Sequence, residues 1–232
     1  MKVVILAGGF GTRLSEYTST IPKPMVPIGG KPILEHIIKI YSKYGHNNFY
    51  IALGYKGNII KKYFNKKKFK NIKINLINTG INTYTGGRVL RLKKYLKNET
   101  FLLTYGDGVS DININKLIKF HNKNKKIVTV TAVRPPARFG ALKIKGIKVI
   151  KFKEKNTEGD NWINGGFFVI NPQFLKFLKN DSTILEREPL EKITQIKQLV
   201  AFKHPGFWQC MDHKSDKDIL DKMIKQKKAI WL

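Results

Sequence analysis

Residues Val3 to Leu6 are a short run of β-branched and aliphatic side chains. The run ends directly in Ala7-Gly8-Gly9-Phe10-Gly11-Thr12-Arg13-Leu14, and Ile21-Pro22-Lys23-Pro24 follows shortly after. An apolar run of this kind, bounded by glycine, reads as a strand buried on both faces of a parallel sheet. Gly8, Gly9 and Gly11 permit positive φ and close approach of the main chain, so successive N–H groups can converge on phosphate oxygens. Pro22 fixes its own φ, and Pro24 disfavours helix at the residue before it, so Lys23 is expected in an extended segment that presents its ammonium. Leu6, Ala7, Gly8, Gly9, Phe10, Gly11, Thr12 and Arg13, with Lys23, are therefore candidates for cradling a nucleotide.

Two better-known glycine loops are excluded. A P-loop requires G-x-x-x-x-G-K-[ST], and no lysine followed by Ser or Thr stands here. A dinucleotide fingerprint requires G-x-G-x-x-G, and Leu14 occupies the place of the third glycine. A simple tight turn accounts for Gly8-Gly9 but not for Thr12-Arg13 and the Pro-Lys-Pro together.

Further apolar runs that read as strands lie at 2–7, 49–53, 72–77, 100–105, 127–133, 147–152 and 166–170, with helical periodicity between most of them. Such alternation predicts a parallel sheet covered by helices. A helix is expected after Pro32, where Ile33-Leu34, Ile37-Ile38 and Tyr41 recur on one face, another after Gly57 and a third after Thr85. Ser215 with Asp218 three residues later forms a capping-box pattern for a terminal helix running to about Gln226.

The chain of 232 residues is 42% hydrophobic, enough for one sizeable core, and shows neither repeat nor linker, so residues 1–232 are expected to form a single domain. Cys210 is the one cysteine, which rules out an internal disulfide and points to a reducing, cytoplasmic setting. The first apolar run is too short for a signal peptide, and none approaches the roughly 18 residues needed to cross a bilayer.

A net charge of +28 invites a nucleic-acid reading, but 38 of the 44 basic residues are lysines spread along almost every element. A compositional bias is the simpler account, and no nucleic-acid partner is expected. Lys66-Lys67-Lys68-Phe69-Lys70, the densest run, reads as a solvated loop. The excess charge favours encounter with anionic substrates.

Asp107 lies just beyond the strand Phe101 to Tyr105, flanked by Gly106 and Gly108. Ligands of open parallel sheets sit outside the carboxyl ends of strands, where the glycine loop also falls. Asp111 precedes a helical pattern and reads as its N-cap. Asn164-Gly165-Gly166 combines an amide able to satisfy sugar hydroxyls with glycines that let a ring approach. The five histidines, His36, His46, His121, His204 and His213, show no metal-binding spacing.

The segment Gly8 to Leu14 with Pro22-Lys23-Pro24 resembles the signature of the sugar-1-phosphate nucleotidyltransferases. Pro22 to Leu34 (PKPMVPIGGKPIL), Thr85-Gly86-Gly87-Arg88, Thr104 to Asp111 (TYGDGVSD), Arg138 to Leu142 (RFGAL) and Trp162 to Phe168 (WINGGFF) are similar to the cytidylyltransferases that act on glucose 1-phosphate. The similarity runs from residue 1 to about 64 and from about 76 to the end. It implies a Rossmann-like α/β fold with a mostly parallel sheet flanked by helices, of the nucleotide-diphospho-sugar transferase type. The implied substrates are CTP and a sugar 1-phosphate, and a homo-oligomer is also implied.

The same resemblance makes Arg13, Lys23 and Asp107 catalytic and Asp107 and Asp212 the ligands of Mg²⁺. It adds Thr83, Arg88 and Gly106 to the nucleotide site, with Arg88 helping to read cytosine, and it places Tyr105, Glu154, Lys155 and Asn164 around the sugar phosphate. The family carries threonine where His213 stands and proline where Asn156 stands. Its longer segment between the helix ending near Phe64 and the strand near Ile72, which helps build the oligomer and part of the site surroundings, is reduced here to Asn65 to Asn71. The same chemistry with another sugar phosphate or with dTTP, UTP or GTP is the nearest alternative, and a silent regulator would bind CTP without releasing pyrophosphate.

Overall fold

The computed structural model describes residues 1–67, 69–135 and 162–232, together with the backbone of 141–153 and the side chains of 144–150. Seven strands form one sheet: β1 (Lys2–Ala7), β2 (Asn48–Leu53), β3 (Lys73–Asn78), β4 (Phe101–Tyr105), β5 (Val128–Val133), β6 (Ile163–Ile170) and β7 (Leu199–His204). Their spatial order is β7-β5-β6-β4-β1-β2-β3. All neighbours run parallel except β6, which is antiparallel to both β4 and β5. The chain starts at β1, winds outward through β2 and β3, then returns to β4 on the other side. The strand order therefore reverses between β1 and β4, which is where open α/β sheets leave a crevice.

Burial on both faces explains why the strands read as continuous apolar runs. Val3, Ile5 and Ala7 of β1 enter one core cluster, while Val4 and Leu6 enter the other. The first cluster is covered by α1 (Ile33–Ser42), α2 (Gly57–Lys66), α4 (Ile114–Asn124) and α6 (Lys214–Lys225); the second by α3 (Thr85–Arg91) and α5 (Glu188–Gln195). In α1 the expected face is realised, with Ile33, Leu34, Ile37, Ile38 and Tyr41 wholly buried. Each such side chain contributes about 1.5–3 kcal/mol relative to exposure.

Several expectations are corrected. The run at 147–152 forms no part of the main sheet; Lys148–Lys153 pairs with Ala141–Lys145 in a separate antiparallel hairpin. The seventh strand is β7, which among the described residues pairs only with β5 and whose mixed sequence, Leu199 to His204, gives no continuous apolar run. Asp111 does not cap α4. Asn113 does, its side chain accepting from the Lys116 N–H at 2.9 Å, while Asp111 Oδ1 pairs with His204 Nε2 at 2.9 Å.

At α6 the cap lies two residues earlier than Ser215. His213 is the N-cap, and Asp216 Oδ2 accepts from the N–H groups of Asp212 and His213, both at 2.9 Å. Lys67 is no free loop cation either, since its ammonium meets the buried Glu35 carboxylate at 2.5 Å. No helix among the described residues is long and apolar enough to cross a membrane.

Candidate active site

The residues following β1 and β4 meet because Leu6 and Tyr105 are direct partners in the sheet. A small antiparallel ladder then brings in a distant segment: Gly108–Ser110 pairs with Trp208–Cys210, and the Met211 N–H donates to the Asp107 carbonyl at 2.9 Å. Asp212 is thereby set beside Asp107. Together these elements wall a cavity of about 830 Å³, within the range of small-molecule sites. Leu6 to Gly11, Arg13, Lys23, Thr83, Arg88, Tyr105, Gly106, Asp107, Asn164 and Asp212 all line it. Thr12 does not; it opens the 3₁₀ turn Thr12–Leu14.

Lys23 is held differently from expectation. Pro22 is the extended residue (φ −69°, ψ 147°), and Lys23 begins a 3₁₀ turn through Met25. Its ammonium, only 8% exposed as a residue, lies 2.7 Å from Asp107 Oδ2 and 2.6 Å from Asp212 Oδ1. Arg13 Nη1 takes the other Asp212 oxygen at 2.6 Å. Burial opposes the Lys23 charge, but the carboxylates, Asp107 first, more than offset it and hold its pKa above the ordinary value. Burial likewise works against the Asp212 carboxylate, and Lys23 with Arg13 overcomes it, leaving that pKa below the usual range. Lys23 is thus fully protonated and Asp212 fully ionised near neutrality.

Both carboxylates touch one ammonium, so their oxygens converge on a single point. Asp107, Cys210 and Asp212 each offer a ligand atom within 4.8 Å of the others. Oxygen donors of this kind fit a hard divalent cation. Burial and the Asp107 charge push the Cys210 thiol well up, so it remains neutral beside them.

Of the three loop glycines, only Gly11 has positive φ (67°). Gly8 is required for another reason: a Cβ there would stand 2.3 Å from Arg88 Nη1. The Arg88 guanidinium is buried against the loop, donating through Nη2 to the carbonyls of Gly8 (2.9 Å) and Ile81 (3.2 Å). Through Nη1 it reaches Leu53 O (3.1 Å), Thr79 Oγ1 (2.8 Å) and Gly80 O (2.7 Å). Both terminal nitrogens are committed to protein oxygens. Arg88 therefore braces the glycine loop against the ends of β2 and β3. Burial, then the neighbouring Arg91, lowers its pKa, although a guanidinium stays charged in proteins.

On the other flank, β6 bulges between Asn164 and Phe168. Gly166 (φ 79°) is needed because a Cβ would meet the Tyr105 ring at 2.6 Å, and Gly165 because one would meet Val133 Cγ1 at 2.7 Å. Asn164 accepts from the Gly166 N–H at 2.8 Å and donates to the Tyr105 hydroxyl at 3.1 Å. Trp208 Nε1 fastens the bulge through Gly165 O at 2.7 Å. Glu154 and Lys155 lie outside the described residues.

Sequence reasoning missed Glu186, Trp208 and Cys210, all of which line the cavity. Cys210 and Trp208 carried a signal in their nearness to Asp212. Glu186 carried none.

The strand-ended glycine loop, the acidic pair bridged by lysine and the cavity all lie at the sheet's switch point, where open α/β sheets take their ligands. The sequence matches the family described as Nucleotidyl transferase over residues 2–216, and the chain belongs to that family. It is 47% identical to glucose-1-phosphate cytidylyltransferase of Salmonella typhimurium (strain LT2) over 253 aligned positions, covering 100% of this chain and 98% of the relative. A probable glucose-1-phosphate cytidylyltransferase of Bacillus subtilis (strain 168) is 42% identical, covering 100% and 99%. Among solved structures, HddC from Yersinia pseudotuberculosis complexed with GMP-PN superimposes with a TM-score of 0.77 at 26% identity, covering 96% of this chain and 99% of that one.

Proposed function

We propose that this chain, acting as a single domain in the cytoplasm, converts CTP and α-D-glucose 1-phosphate into CDP-glucose and pyrophosphate. One observation carries the reaction class: Lys23, Asp107 and Asp212 converge at the carboxyl edge of the sheet, beside the glycine loop. The base and the sugar rest on the full-length similarity to cytidylyltransferases.

The nucleotide would lie along Leu6 to Gly11, whose main chain Arg88 holds in place, with Thr83 and Gly106 on either side. A sugar-phosphate oxygen attacks the α-phosphorus in line, the new O–P bond forms, and the bond to the bridging oxygen of pyrophosphate breaks. Arg13 and Lys23 reorient from the carboxylates towards the phosphate oxygens and stabilise the charge that develops there. Asp107 and Asp212 would hold Mg²⁺, which when bound supplies charge neutralisation at the phosphates. Tyr105 and Asn164 line the sugar side, and Lys155 with Glu154 is assigned there by resemblance alone.

Pyrophosphate release across CTP, UTP, dTTP, ATP and GTP, each with several sugar 1-phosphates, tests this reading. CTP with glucose 1-phosphate should be the best pair. Faster turnover of dTTP or GTP would overturn the cytidylyltransferase assignment while leaving the family chemistry in place.

A further inference from the structure

Glu186, in the segment before α5, has no part in the reaction described above, yet it faces the same cavity. Its carboxylate is held from two sides: the Tyr105 hydroxyl donates to Oε1 at 2.5 Å and the Thr85 hydroxyl to Oε2 at 2.7 Å. Asn164 Nδ2 in turn donates to the Tyr105 hydroxyl at 3.1 Å. An ionised carboxylate offers about four lone-pair sites, so each oxygen keeps one acceptor position after these bonds. Glu186 is exposed, and those positions open on the cavity. Burial, then the Glu186 charge, keeps the Tyr105 phenol protonated and therefore a fixed donor.

A rigid acceptor pair of this form suits two adjacent hydroxyls on a pyranose ring, which can donate into one carboxylate much as paired N–H groups do. The placement is also right. Tyr105 is two residues before Asp107, so this wall adjoins the point where the reacting phosphates would sit, and Asn164 of β6 reaches the same hydroxyl that holds Glu186. We infer that Glu186 accepts hydrogen bonds from an adjacent pair of sugar hydroxyls and, braced by Tyr105 and Thr85, determines which hexose 1-phosphate the site takes. This inference rests on the sugar-nucleotide reading given above.

The test measures pyrophosphate release with CTP for the wild type, Glu186→Gln and Tyr105→Phe, using glucose 1-phosphate and its monodeoxy analogues. The wild type should lose about tenfold or more in kcat/KM when one of the paired hydroxyls is deleted. Glu186→Gln should lose about as much with glucose 1-phosphate itself, mainly through KM for the sugar phosphate, and should suffer no further loss with that analogue. Tyr105→Phe should shift in the same direction by a smaller factor. The inference is overturned if Glu186→Gln discriminates among the analogues as the wild type does, or if KM for CTP rises in step with KM for the sugar phosphate, as a purely bracing role would give. A wild type inactive with CTP and glucose 1-phosphate overturns the functional reading itself, and this inference with it.

Discussion

The Arg88 guanidinium donates to the carbonyl of Gly8 at 2.9 Å, tying the start of α3 to the loop that follows β1. The same side chain satisfies the carbonyls of Leu53, Gly80 and Ile81, so the arginine and the two glycines it presses on, Gly8 and Gly54, form one unit.

Arg88→Ala should therefore destabilise the fold and loosen the loop rather than merely blur base selection. Leaving several buried carbonyls unpaired costs about 2–4 kcal/mol. A lowered denaturant midpoint with a raised KM for every nucleotide is the expected result. A variant of native stability that has lost only its preference for CTP would restore the base-reading role.

Lys23→Ala should depress turnover by roughly 10²- to 10³-fold, the usual consequence of removing one preorganised charge contact. The protein should remain folded, although Asp107 and Asp212 would then face each other without their shared cation. Near-normal kcat in a folded variant would remove Lys23 from the chemistry.

Asp107→Asn and Asp212→Asn should each weaken the dependence on divalent metal, and excess chelator should silence the wild type. Undiminished activity in chelator would refute the metal assignment.

Asp212 also predicts a pH effect with a definite sign. Its folded pKa lies below the ordinary 3.8 because of Lys23 and Arg13, acting against burial. Its pairing therefore contributes fully above that ordinary value and is lost as pH falls through the lower folded one. Asp212→Asn should flatten the fall of stability with acid below about pH 4, as read by urea midpoints at stepped pH. An unchanged acid slope would mean that the ion pair carries no such linkage.

Asn113→Ala should cost about 1 kcal/mol through loss of the α4 cap. Asp111→Asn should leave α4 intact and affect only the contact with His204. Equal losses from the two variants would indicate that the cap is shared.

The central fold was legible because β1, β2, β4 and β6 are buried on both faces, so their apolar runs stand out without any knowledge of partners. Strand β7 and the hairpin at 141–153 were harder to place, since edge and detached strands carry mixed sequences whose pairing depends on the tertiary context. Site residues within glycine or proline punctuation, such as Lys23 and Asp107, could be found from spacing alone. The bracing of the loop by Arg88 could not, because the partners of a guanidinium depend on tertiary contacts that sequence spacing does not show. Glu186 lay in a segment with no motif, and the Tyr105 and Thr85 hydroxyls pointing at it reveal its position.

The short ladder between Gly108–Ser110 and Trp208–Cys210 has a temporal consequence. Synthesised from its amino end, the chain presents its glycine loop, Lys23 and Asp107 long before residue 212 leaves the ribosome. Until then Lys23 has one carboxylate for company, and the cavity lacks the wall that Trp208, Cys210 and Asp212 supply. Closure between segments so far apart in sequence is entropically costly and slow to form. The reaction centre is thus complete only once the distal segment has docked, and turnover reports that docking.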